Sequence, residues 1–92
     1  MLNLQKDFPI FKNNNLTYFD NASTTQKPQC VIDKISEFYS SYNANIHRGA
    51  YSIAEKATNE FEKSREMISN FINSNTNEVV ITKGATESIN II

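Results

Sequence analysis

Cysteine occurs once, at Cys30, so no disulfide can form within the chain, and that fits a reducing compartment. Charge of one sign is also lacking. Acids and bases are interspersed and nearly cancel, at a formal net charge of -1. This balance gives no electrostatic reason to expect a nucleic acid or a membrane surface as partner. No stretch approaches the roughly 20 apolar residues that a membrane span requires. The opening Met1-Leu2-Asn3-Leu4-Gln5-Lys6-Asp7 lacks the apolar segment of a secretory signal. There is no internal repeat and no low-complexity linker. One histidine, His47, without cysteine or carboxylate partners in its motif, makes no metal site. These absences leave a soluble, globular and cytoplasmic chain as the expectation. Its 92 residues make one small domain, which buries roughly 60–70% of its unfolded surface.

Asparagine is plentiful, as in Asn13-Asn14-Asn15 and Asn73, Asn75, Asn77, and suits turns and left-handed backbone. The first Asn run announces a short strand at Leu16-Thr17-Tyr18-Phe19-Asp20. Pro28 sits where a helix can begin, because its missing N–H is not needed in a first turn. Val31, Ile35, Phe38, Tyr39 and Tyr42 then form a helical stripe that predicts a helix over 28–42. The segment 43–49 breaks the pattern as a loop. Ser52-Ile53-Ala54-Glu55 matches a capping box. Ala54, Ala57, Phe61, Ile68 and Ile72, widened by Met67 and Phe71, extend a helix to about Ile72. Ser74-Asn75-Thr76-Asn77 reads as a turn. Val79-Val80-Ile81 is a β-branched run expected of a strand buried on both faces. Gly84 follows at once, and a further helix opens at Ala85-Thr86-Glu87. The order is α/β. A buried-type strand needs neighbours on both sides, and one short strand is too few. The chain is therefore expected to be a fragment, poorly soluble through an unpaired strand edge.

Three segments are candidates for chemistry. Thr82-Lys83-Gly84-Ala85-Thr86-Glu87-Ser88 places a glycine turn before a helix start. Free backbone N–H groups, the positive helix end and a Thr hydroxyl then suit a single phosphate. The segment has neither the glycine spacing of a dinucleotide fingerprint nor a P-loop. Tyr18-Phe19-Asp20-Asn21-Ala22-Ser23-Thr24-Thr25 places small residues after an Asp-Asn pair, which admits a ligand close to the backbone. The plainer account is a turn held by its own side-chain bonds. His47-Arg48-Gly49 carries an arginine able to clamp a carboxylate, beside a histidine that on its own is as well explained by packing. The only two glycines, Gly49 and Gly84, each fall in one of these segments.

Taken together, Tyr18-Phe19-Asp20-Asn21-Ala22-Ser23-Thr24-Thr25-Gln26-Lys27-Pro28, Asn45-Ile46-His47-Arg48-Gly49 and Gly84-Ala85-Thr86-Glu87-Ser88-Ile89-Asn90 resemble the N-terminal region of the group II cysteine desulfurases, in the class V aminotransferase family. Order and spacing fit as well, and Phe8-Pro9-Ile10 is similar to the family's opening. The resemblance implies the fold type I of pyridoxal-phosphate enzymes, incomplete here, with residues 1–92 as the N-terminal segment of the domain. It implies conversion of L-cysteine to L-alanine, with a persulfide left on an enzyme cysteine for iron–sulfur cluster assembly. It implies a homodimer and a sulfur-acceptor protein as partners. Ala85 and Thr86 match the position that holds the cofactor phosphate. Asn21 and Ala22 match a substrate-side loop, and His47 and Arg48 a loop near the active site at the dimer interface. Ser23 departs from the family's usual second alanine. The Schiff-base lysine of the family follows a histidine directly, and no lysine here does. The family's persulfide cysteine also lies farther along, so Cys30 is expected to be a packing residue. No catalytic residue is expected in this chain, which is predicted inactive alone. The alternatives are a non-catalytic remnant, an interaction or phosphate-binding module, or part of a sister enzyme such as selenocysteine lyase.

Overall fold

The computed structural model describes residues 4–92. Met1-Leu2-Asn3, part of the opening segment expected to lack a secretory signal, lie outside the described residues. Two compact units, Met1–Asn43 and Ala44–Ile92, are each taken by itself.

In the first unit a 3-10 turn at Leu4–Asp7 leads into α1, Pro9–Asn13. Pro9 occupies the first helical position, where no N–H is needed. The Phe8 and Phe11 rings meet edge to face at 6.1 Å. Helix α2, Gln29–Glu37, starts one residue after Pro28, whose carbonyl accepts the Val31 and Ile32 N–H groups. It runs on as a single wider turn of π-helix, Phe38–Tyr42. The Ser40 hydroxyl donates to the Ser36 carbonyl at 2.7 Å. That carbonyl is the one an α-helical Ser40 N–H uses, so the side chain competes with the ladder where the helix widens. The helix expected over 28–42 is therefore present, but its stripe is only partly covered. Tyr42 is 2% exposed, whereas Ile35 and Tyr39 are open to solvent. Phe38 packs edge to face on both Tyr39 and Tyr42, at 5.3 Å each.

The second unit is built on α3, Ser52–Ile72, followed by a 3-10 turn, Thr76–Glu78, and α4, Ala85–Ile91. Ala54 and Ala57 on the first turns of α3 are buried, as are Ser69 and Val79. The second half of the stripe (Met67, Ile68, Phe71, Ile72) is exposed. Asn73 closes α3 in the left-handed region, at φ 56° and ψ 48°. Its N–H reaches Asn70 O, and the Ser74 N–H reaches Ser69 O at 2.9 Å, a Schellman closure. Asparagine bears this backbone better than most side chains. No described helix is long and apolar enough to cross a membrane.

Several expectations need correction. No strand occurs among the described residues, at 16–20 or at 79–81. A strand is defined by pairing, and neither segment has a partner. Val79 is extended (φ -96°, ψ 115°) and buried, whereas Val80 and Ile81 are both exposed. Burial in the 79–81 run is thus confined to Val79. The capping box at Ser52 and Glu55 does not form. Tyr51 takes the cap position instead, and its carbonyl accepts the Glu55 N–H at 3.1 Å. The reaching-back glutamate of such a box is found later, where Glu78 Oε2 accepts the Asn75 N–H at 2.7 Å. Cys30, expected to pack, is exposed. It is the second residue of α2, a helix none of whose residues is buried.

Candidate functional site

The loop leading into α3 is anchored at one residue. His47 has φ 63°, a conformation costing about 1–2 kcal/mol for a side chain such as this. Its N–H donates to Thr58 Oγ1 at 3.0 Å. The Thr58 hydroxyl in turn donates to the Ala54 carbonyl at 2.8 Å, so its lone pairs remain for the loop. The imidazole Nε2 lies 3.2 Å from Glu62 Oε1, and the ring stands edge-on to Phe61 at 5.8 Å. Glu62 is shared, because its Oε2 accepts from Arg65 Nη1 at 3.0 Å. Arg65 Nη2 also donates to the carbonyls of Thr76 (2.9 Å) and Val79 (3.1 Å). Thr58, Glu62 and Arg65 are four and three residues apart, on one face of α3. None of these three residues stands out in the sequence, and their common engagement with the loop emerges only from the fold.

Arg48 is exposed and has no ion pair among the described residues. Beyond it, Gly49 is needed for space. A Cβ there stands 2.2 Å from the Ala54 Cβ and 2.8 Å from the Tyr51 ring. An open cleft of about 530 Å³ follows, lined by His47, Tyr51, Ser52, Glu55 and Asn59.

The turn after Asp20 lies in the first unit. The Asp20 carbonyl accepts the Ser23 and Thr24 N–H groups at 3.2 Å each. The Ser23 hydroxyl donates to Asp20 Oδ1 at 2.9 Å, which gives this serine a local reason to be there. The Tyr18 hydroxyl reaches the Asp20 and Thr24 carbonyls. Asn21 and Ala22 lie exposed at the tip of this self-closed turn. The turn is thus held by its own main-chain and side-chain bonds.

At the start of α4 the Thr82 and Ser88 hydroxyls pair at 2.7 Å, and Glu87 Oε2 accepts the Lys83 N–H at 2.6 Å. No side chain caps the helix, so its first N–H groups remain available to a ligand. Thr86 is exposed, its hydroxyl without a partner among the described residues. A Cβ on Gly84 meets nothing within 4 Å, and its φ of 161° is close to fully extended. Gly84→Ala is therefore expected to cost no more than about 0.5 kcal/mol and to gain up to about 1 kcal/mol through the unfolded state, measured as the urea midpoint. A larger loss would show that the glycine serves the fold itself. No hydrogen bond or ion pair among the described residues joins this corner to the His47 loop.

Residues 17–92 match the aminotransferase class-V family model. The chain is 49% identical over 92 residues to cysteine desulfurase SufS of Plasmodium falciparum (isolate 3D7), covering 98% of this chain and 17% of that protein. It is 49% identical over 100 residues to a probable cysteine desulfurase of Vibrio cholerae, covering all of this chain and 25% of the relative. The apo structure of a cysteine desulfurase from Thermococcus onnurineus NA1 superposes with a TM-score of 0.85 at 37% identity, over 95% of this chain and 21% of that one. The chain belongs to the class V aminotransferase family. It spans about a quarter or less of the length of these relatives.

Proposed function

We propose that this chain is the N-terminal segment of a cysteine desulfurase that converts L-cysteine to L-alanine and leaves the sulfur as an enzyme persulfide for iron–sulfur cluster assembly. The observation carrying the reading is the match over 17–92 to the class V family, joined to cysteine desulfurase names among relatives at 49% identity. The uncapped α4 start, the open space over Gly84 and the exposed Thr86 hydroxyl fit the phosphate of pyridoxal phosphate. Ala85 and Thr86 would hold that phosphate by backbone N–H and hydroxyl donation. The cofactor, when bound, supplies the electron sink for cleavage of the C–S bond. Asn21 and Ala22 border the substrate side, and Arg48 offers a guanidinium to the substrate carboxylate. The complete enzyme works as a homodimer and passes sulfur to an acceptor protein, in the cytoplasm. By itself the chain lacks a His-Lys element, so it is inactive.

Two measurements test this. The purified chain, mixed with pyridoxal phosphate and cysteine, is expected to give no Schiff-base absorption band and no alanine. Either signal would overturn the claim of inactivity. A chimera in which residues 1–92 replace the matching segment of the Vibrio relative is expected to release alanine from cysteine. In that chimera Thr86→Ala is expected to weaken cofactor binding about tenfold, the loss of one hydrogen bond to a charged group. A soluble, cofactor-loaded chimera without desulfurase activity would rule the reading out.

A further inference from the structure

We infer that Thr58 and Glu62 are positioning residues that act through His47 to present Arg48, so that the histidine is the anchor of the loop and the arginine its exposed working group. The inference rests on the proposed role of the His47–Arg48 loop and divides the labour within it. Three observations carry it. The left-handed backbone of His47 persists only where neighbours over-determine it. The Thr58 hydroxyl has its proton committed to Ala54 O, 2.8 Å away, and so meets the His47 N–H as an acceptor. The imidazole is turned back onto α3 by Glu62, 3.2 Å from Nε2, and by the edge-on Phe61 ring. Glu62 cannot swing away freely, because Arg65 holds its other oxygen at 3.0 Å and is itself held by two carbonyls. His47 is half-exposed but engaged through its main chain and its ring, whereas the next side chain, Arg48, is exposed and makes no ion pair among the described residues.

The sole histidine makes the test clean. In the 92-residue chain labelled with 15N-histidine, one amide signal reports on the loop. Thr58→Val is expected to speed His47 amide exchange by about tenfold, through loss of its acceptor. Thr58→Ser keeps the hydroxyl and is expected to restore the rate to within about twofold. Glu62→Gln is expected to raise trypsin cleavage after Arg48 several-fold while cleavage after Lys63, inside α3, stays constant. Unchanged exchange in Thr58→Val, or failure of Thr58→Ser to restore it, overturns the inference. So does a parallel rise of cleavage at both sites, which marks a general loss of stability. None of these readouts uses cofactor or substrate, so their failure is distinguishable from failure of the chimera.

Discussion

Replacing Arg65 by methionine is expected to lower the stability of the Ala44–Ile92 unit by about 3 kcal/mol, read as a fall in the urea midpoint followed by circular dichroism. The guanidinium is the group that ties α3 to the turn after it. It donates to Glu62 at 3.0 Å, to Thr76 O at 2.9 Å and to Val79 O at 3.1 Å. Its side chain is 24% exposed, so water screens these bonds less than on an open surface. Hydrogen bonds to a charged donor are worth about 1.5–3 kcal/mol each, and part of the loss returns through methionine packing. Two carbonyls and a carboxylate lose their donor together, which is why the effect exceeds that of an ordinary surface ion pair at roughly 0–1 kcal/mol. Arg65→Lys is the informative control. A lysine is a single compact charge and cannot span three acceptors in a fixed plane. It is expected to recover less than half of the loss. Full recovery would mean that charge alone, and not the fork geometry, holds the turn.

Gly49→Ala is the second large effect, at about 3 kcal/mol, the upper end for overpacking by one methyl group. The new Cβ would stand 2.2 Å from Ala54 Cβ, and Ala54 has no exposed surface to retreat toward. Either the loop or the first turn of α3 must move. The cause is steric and not conformational, so the cure is local. Ala54→Gly in the same chain removes the closer of the two colliding groups, leaving the Tyr51 ring at 2.8 Å, at a helix-propensity cost of about 1 kcal/mol. The double variant is expected to be more stable than Gly49→Ala alone, giving a coupling of about 2 kcal/mol in a double-mutant cycle. Additive losses would place the origin of the effect elsewhere.

How legible this molecule is from its residues follows from what each feature depends on. The α3 boundaries at Ser52 and Ile72 follow from an apolar period that is local to the helix. The 28–42 helix was legible for the same reason, whereas its wider last turn turns on one hydroxyl, Ser40, competing for a carbonyl. The strands expected at 16–20 and 79–81 are absent among the described residues, because pairing is a property of two segments and β-branched composition describes one. The Ser52–Glu55 pattern satisfies the chemistry of a cap, yet Tyr51 occupies the extended position that a cap requires. The three segments carrying the family resemblance were visible as motifs. What supports one of them was not, since Thr58, Glu62 and Arg65 look like ordinary polar positions of an amphipathic helix until the loop is folded against them.

Gly84 has a further consequence on the other side of the folding equilibrium. A glycine enlarges the unfolded ensemble, and replacing it by alanine at a compatible site typically gains about 0.4–1 kcal/mol. Here the folded chain takes nothing in return, because no described atom occupies the space a methyl group would fill. The entropy spent at this one residue is recovered only when something from outside the chain comes to lie against its backbone.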